Sequence, residues 1–304
     1  MPSHLLQENA VRYFLEVVRT GSIKEAALKL NVAPSAVSRQ VARLESELDT
    51  LLFERRARGM VPNAAGELLA AHAKRNQQDI ERVTGDIAAL RGLRSGSVRV
   101  ASAEGFAFDF VPTVIARFRE KYAGIQFHLD VCAQSDIPRR IRDGEADIGI
   151  TLSSVPEPGI RLELRHPSPI LAVMANDHPL AGQRQLSLSQ VVAYPLALPL
   201  KSSSVRQLLD TSCSRQGLNY TTALTSNHAD ALVSFAAAGG GGVAFYGELS
   251  LRTRLLSHAL VAIPLRDREM NERYLEVETL AGRALPEAGK AFVQYLTEAI
   301  KATA

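Results

Sequence analysis

Residues 21–48 read GSIKEAALKLNVAPSAVSRQVARLESEL. Ser22, followed three residues later by Glu25, is a capping box and predicts a helix from Ile23. Ile23, Ala26, Ala27 and Leu30 recur at helical spacing and give that helix one apolar face. Asn31-Val32-Ala33 is a turn. Pro34 suits the first position of a second helix, where its missing N–H costs nothing. In this second helix Val37, Val41, Leu44 and Leu48 fall on one stripe. At about 100° per residue, Ser35, Ser38, Arg39 and Ala42 fall opposite. Small residues let such a helix sink into a DNA major groove, hydroxyls bond to phosphates or bases, and an arginine reaches a guanine edge. A plain two-helix corner with a solvated outer face fits the same pattern, so the flanks have to decide.

Upstream, Glu8 to Arg19 places Val11, Phe14, Leu15 and Val18 on one face of a first helix, which Gly21 ends. Downstream, Leu51-Leu52-Phe53 is a short apolar strand, and Arg55, Arg56, Arg58 and Gly59 form a basic turn. Met60-Val61 returns as a second strand. This is a wing, and beside a recognition helix its arginines lie on the phosphate backbone or in the minor groove. The bland reading of three clustered arginines is a solvated loop; the neighbouring helix pair favours DNA contact.

Asn63 is a good N-cap. From Ala64 to about Leu93 one long helix is expected, roughly 45 Å at 1.5 Å per residue. Leu69, Ala73, Asn76, Ile80, Val83, Ile87 and Leu90 keep a four-three alternation, which is a coiled-coil seam. Asn76 on that seam fixes register and partner number at a cost in stability. So narrow a stripe on so long a helix calls for a homodimer through it. Packing on the chain's own body is the alternative.

Beyond a hinge at Arg91–Gly96 strands and helices alternate. Strands are expected at Val98–Ala101, Phe127–Val131 and Ile148–Ile150, with helices around Val111–Phe118 and Ile137–Arg142. This predicts a parallel sheet with right-handed crossovers. A second unit starts near Ile170, with strands Leu196–Leu198, Ala223–Thr225 and Val243–Tyr246 and helices Val205–Gln216 and His228–Ala237. Strand Arg273–Thr279 and helix Pro286–Ala302 close the chain. The Gly239–Gly242 run follows a helix and precedes a strand, the reverse of a phosphate loop, and reads as a helix stop and turn.

Gly21-Ser22, Glu25-Ala26-Ala27, Leu30, Val32, Ala36-Val37-Ser38-Arg39-Gln40-Val41, Leu44-Glu45, Leu48 and Leu52-Phe53-Glu54-Arg55 resemble the N-terminal signature of LysR-type transcriptional regulators. That family usually has Ser-Gln-Pro where this chain has Ala33-Pro34-Ser35, which removes a usual N-cap and a usual polar groove contact. A weaker resemblance continues through Gly144–Ile150, His178-Pro179-Leu180 and the glycine-rich turn. It implies a periplasmic-binding-protein-like effector domain and a dimerising linker helix. It also implies homotetramers, dimers of dimers, whose effectors alter DNA bending and RNA polymerase recruitment. The expected organisation is a winged helix-turn-helix at residues 1–63, a linker helix and hinge at 64–94, and a two-lobed α/β effector domain at 95–304. Lobe I takes about 95–167 and 268–304, lobe II about 168–267.

Ligands in such folds sit outside the carboxyl ends of strands and at helix N-termini. That rule selects Ser102 and Glu104 after the first strand, Thr151 after the Ile148 strand, and Lys201, Ser202 and Ser203 before the Val205 helix. It also selects Asn227 and His228 before the next helix, and Phe245-Tyr246. The Lys-Ser-Ser-Ser stretch suits an anion such as an organic acid; plain N-capping explains it equally well. Glu104 would repel an anion or bind an amine or hydroxyl. His228 reads more simply as a cap or core residue than as a ligand contact.

With 304 residues, 46% hydrophobic and 22% charged, the chain has material for two or three ordinary globular domains. A net charge of +3 permits a nucleic-acid partner without requiring one. No apolar run approaches the roughly 20 residues that span a bilayer, and the N-terminus has no signal-peptide pattern, so a cytoplasmic protein is expected. Cys132 and Cys213 have no metal-ligand spacing and read as two small buried residues rather than a redox switch. No cofactor is called for. An enzyme with an accessory DNA-binding domain is the rival class. Against it, HExxH, GxSxG, CxxC and a carboxylate pair at helical spacing are all missing. A non-specific nucleoid protein would carry more positive charge and no long effector region.

Overall fold

The computed structural model describes residues 9–56, 59–89, 95–152, 156–250 and 260–302. Two compact units divide the chain at Met1–Thr84 and Gly85–Ala304.

In the first unit, α1 (Asn9–Thr20) ends at Gly21, whose φ of +67° lets its N–H reach the Val17 carbonyl at 2.8 Å. Ser22 Oγ then accepts from the Glu25 N–H at 3.4 Å and starts α2 (Ile23–Leu30). Asn31, in the left-handed region at φ 54°, closes α2. α3 (Pro34–Glu47) follows, with Pro34 in its first turn. Phe14, Val17, Ala26, Ala27, Val37, Val41, Leu44 and Leu52 form the core. Leu48 departs from the expected stripe. It lies past the last helical residue, before Asp49 at φ 48°, and is 43% exposed.

The wing is β1 (Phe53–Arg56) paired antiparallel with β2 (Gly59–Pro62). Its first strand starts later than expected and continues through two of the arginines: Arg55 pairs with Met60 and Arg56 with Gly59. Packing decides this. Phe53 stacks on Phe14 at 5.3 Å between ring centroids, while Leu52 is buried with its N–H donated to Glu45 Oε1 at 2.9 Å. The Met60 N–H donates to the Gly21 carbonyl at 2.8 Å. A Cβ on Gly59 would overlap that same carbonyl, so only glycine lets the wing lie against the α1–α2 turn. Asn63 Oδ1 accepts from the Gly66 N–H at 2.9 Å and starts α4 (Ala64–Ala89).

The second unit holds two five-stranded sheets. The first is built from β3 (Gly96–Ser102), β4 (Ile125–Val131), β5 (Ile148–Leu152) and β6 (Ile160–Pro167). α5 (Glu104–Ala107), α6 (Phe110–Lys121) and α7 (Ile137–Arg142) connect them. The chain then crosses to β7 (Ile170–Ala175), α8 (Leu188–Val191), β8 (Leu196–Pro199), α9 (Ser204–Gln216) and β9 (Thr222–Ser226). α10 (Ala229–Ala237), β10 (Val243–Gly247) and β11 (Leu260–Pro264) complete the second sheet. The chain returns through α11 (Arg268–Asn271) to β12 (Tyr274–Leu280) and ends in α12 (Glu287–Lys301). The strand orders are β4-β3-β5-β12-β6 and β11-β7-β10-β8-β9.

The expected parallel sheet is therefore mixed. β3, β4 and β5 run parallel, but β12 lies antiparallel to both β5 and β6. The return crossing brings β12 in from the other lobe, which reverses its direction. Val98, Val100, Ile148, Ile150, Val277, Phe118 and Phe292 fill the first lobe.

At the two crossings Ser168 and Arg273 meet. The Ser168 N–H donates to the Arg273 carbonyl at 2.8 Å; Arg273 returns Nε to the Ser168 carbonyl at 2.9 Å and Nη2 to Ser168 Oγ at 3.2 Å. Arg273 is fully buried, and burial lowers its pKa to about 10. Gly247 leaves the room: a Cβ there would overlap the guanidinium.

Candidate DNA-binding and effector sites

The outer face of α3 presents Ser35, Ser38, Arg39 and Ala42, all exposed. Ala33 supplies no side-chain cap, and the Ala36 N–H turns instead to the Ala33 carbonyl at 2.9 Å. Arg43, on the same helix, pairs with Glu47 at 2.8 Å. Arg55 and Arg56 lie in β1, and Arg58 lies outside the described residues. On α4, Leu69 and Ala73 are buried in the core of the first unit and Asn76 is half-buried. The seam then leaves the body: Ile80 is 61% exposed, Val83 46% and Ile87 61%. Leu90 lies outside the described residues.

In the second unit the carboxyl ends of β3 and β5 bring Ser102 and Thr151 onto adjacent strands. Both are fully buried. Ser102 Oγ donates to the Ala103 carbonyl at 3.0 Å, whereas Thr151 Oγ1 has no hydrogen-bond partner among the described residues. The Gln134 side chain donates to the Leu152 carbonyl beside them. Gln134 was not singled out from the sequence, although it lies three residues past the carboxyl end of β4, where the strand-end rule applies.

Across the cleft, Glu104 Oε1 accepts from the Ala229 N–H at 3.1 Å and lies 3.7 Å from His228 Nδ1. His228 is the N-cap of α10, 78% exposed, and makes no side-chain cap bond. Asn227 before it is exposed. Lys201 and Ser202 are exposed in the turn before α9, and Ser203 is its N-cap without a side-chain bond.

Phe245 is a correction. It is 1% exposed and belongs to the core of the second lobe with Ile170, Leu196 and Leu198. Strand alternation puts its neighbour Tyr246 on the other face, where the Tyr246 hydroxyl donates to the Ala229 carbonyl at 2.6 Å. Tyr246, not Phe245, reaches the start of α10.

Cys132 and Cys213 are free thiols. Burial pushes the Cys213 thiol up to about 11, with Asp210 and Asp267 adding to the effect. Cys132 is half-buried rather than buried, because it lies one residue past the edge strand β4, and burial raises its pKa as well. No described helix is long and apolar enough to cross a membrane.

A winged helix-turn-helix followed by a two-lobed α/β domain with its cleft at strand carboxyl ends defines a one-chain regulator: a DNA reader joined to a small-molecule sensor. Residues 9–67 match the bacterial regulatory helix-turn-helix model of the lysR family, and residues 91–301 match the LysR substrate binding domain. The chain belongs to the LysR family and is a ligand-responsive transcriptional regulator. It is 27% identical over 296 residues to the RuBisCO operon transcriptional regulator of Allochromatium vinosum, 96% of each chain. It is 26% identical over 242 residues to the transcriptional activator CmpR of Synechocystis, 78% of each. Full-length OxyR from Pseudomonas aeruginosa shares the fold at TM-score 0.71 and 18% identity, over 96% of this chain and 93% of that one.

Proposed function

We propose that the protein reads a pseudo-palindromic promoter site as a homodimer, assembled further into a homotetramer, and that a small organic acid in the cleft alters that arrangement. The observation that carries this reading is the exposed Ser35–Ser38–Arg39 face of α3, beside a wing rich in arginine. In this reading residues 1–63 bind DNA, 64–94 dimerise through Ile80, Val83 and Ile87, and 95–304 sense the effector. Ser38 and Arg39 contact bases, Ser35 a phosphate or base, and Arg55, Arg56 and Arg58 the backbone or minor groove. Ser102 and Thr151 offer hydroxyls to the effector from one lobe. Lys201, Ser202, Ser203, Asn227 and His228 offer donors from the other.

The protein works in the cytoplasm, where its DNA is, and effector-driven rearrangement exposes it to RNA polymerase. The relatives named above are transcriptional regulators, which supports a non-enzymatic role. The test is a footprint on the region upstream of the protein's own gene and its neighbours, run with wild type and Arg39→Ala. A discrete wild-type footprint that the variant loses supports the reading. Equal, sequence-independent protection by both would sink it.

A further inference from the structure

α10 begins without a cap of its own. His228 stands at the N-cap position with extended backbone and no side-chain cap bond. Its N–H is taken by Ser226 Oγ at 3.0 Å. The first N–H groups of a helix have no intrahelical acceptor and must find one elsewhere. Here the acceptor comes from the other lobe: Glu104 Oε1, 3.1 Å from the Ala229 nitrogen.

The start of α10 is fixed from its own side as well. The Ala229 carbonyl holds the Tyr246 hydroxyl, so the amide that Glu104 grips belongs to a rigid part of the second lobe. Glu104 itself is different. Its side chain is 45% exposed, so it swings into water without burying its charge. Beside it the lobes touch again. Gly105 backs onto Ser250, where a Cβ would come within 3.1 Å of the hydroxyl, and Leu249 packs into the core of the first lobe.

Both ends of the Glu104–Ala229 bond lie at carboxyl edges of parallel strands: β3 ends two residues before Glu104, and β9 three before Ala229. Ligands of open α/β sheets sit at that edge, and the positive end of a helix favours an anion there. A hydroxyl of the same edge, Thr151 Oγ1, is fully buried and has no partner among the described residues. Glu104 therefore occupies the position that a ligand anion would take.

We propose that Glu104 is an autoinhibitory latch: it joins the lobes when no effector is bound, and an effector acts by taking the α10 N-terminus from it through a carboxylate of its own. This rests on the cleft being the effector site and adds how that site is held. The exchange replaces one carboxylate by another at the Ala229 N–H, so the seat stays filled while the link between lobes is cut. A cationic or neutral ligand would leave the latch closed.

The test is amide hydrogen exchange on the full chain, resolved to Ala229. Among the described residues that N–H has no acceptor but Glu104, so its protection reports the latch directly. In Glu104→Ala its exchange is expected to speed up about tenfold while α12 is unaffected. Tens of millimolar sodium acetate should slow it again, and equal sodium chloride should not. Glu104→Gln keeps an acceptor oxygen without the charge and should fall between wild type and Glu104→Ala. Unchanged exchange in Glu104→Ala overturns the latch, as does a rise that acetate fails to reverse. If α12 also loosens in Glu104→Ala, Glu104→Gln decides: exchange equal to wild type overturns the role of the charge. Neither DNA nor the natural effector enters these measurements, so a failed latch leaves the regulatory reading standing, and a missing footprint leaves the latch intact.

Discussion

Arg39 is exposed on the face of α3 that a groove would meet, whereas Arg43, one turn on, is paired with Glu47. A bidentate contact to guanine discriminates by about 1–3 kcal/mol. Arg39→Ala should therefore bind its operator and a scrambled duplex almost equally, by competition titration, with melting unchanged. In the proposed reading Arg58, which lies between the two wing strands in sequence, contacts the DNA backbone. Arg58→Ala should weaken binding to all sequences and reduce the slope of log K against log salt by about one unit; loss confined to one base position would contradict it. Ala33 shows what the sequence made legible at this scale: the missing cap predicted from Ala33-Pro34-Ser35 is present as an uncapped helix start. Phe245 shows the opposite. Its place near the carboxyl end of the expected strand Val243–Tyr246 pointed to the cleft, but only the sheet's register says which face it takes. The Cys213 thiol gives a pH handle. Burial holds its folded pKa at about 11, above the ordinary thiol value near 9. Its contribution to stability is therefore complete below pH 9 and is lost as pH rises toward 11. In Cys213→Ser the fall in stability across that window should be shallower in urea titrations; parallel curves would remove Cys213 as the cause.

Among the elements, α4 changes character along its length. Its start is bound to the first unit so closely that a Cβ on Gly66 would overlap the Leu52 carbonyl, which is backbone and does not yield. Gly66→Ala should cost a few kcal/mol by denaturant unfolding, against the few tenths gained where Gly→Ala is unstrained. Farther along, Ile80, Val83 and Ile87 carry apolar side chains into water. Ile80→Asp with Val83→Asp should give a monomer by sedimentation velocity; a persistent dimer would place the interface elsewhere. The helices were legible because each buries one face, so 3.6-residue periodicity is written into the sequence. β6, the edge of its sheet, was not. Arg161, Glu163 and Arg165 alternate along it, and a strand with one solvated side and one neighbour needs few apolar residues. Length misled as well: the four-residue α5 is too short for any periodicity, yet it carries Glu104.

At the scale of the molecule, the first lobe is made from two distant parts of the chain. β12 lies between β5 and β6, and Phe292 of α12 packs on Phe118 at 5.3 Å and Phe127 at 4.7 Å. Phe292→Ala should destabilise the chain by about 3–5 kcal/mol, with Thr279 and Val277 amides losing protection while the helix-turn-helix amides keep theirs. The second lobe, by contrast, is continuous from Ile170 to Leu265. That asymmetry orders events on the ribosome. The DNA-reading unit and then the second lobe have all their residues in hand early, whereas the first lobe must wait, its sheet open between β5 and β6, until β12 and α12 emerge. For that interval the nascent chain holds a finished DNA reader and an unfinished sensor, with two bare strand edges exposed to any neighbour that offers a partner strand.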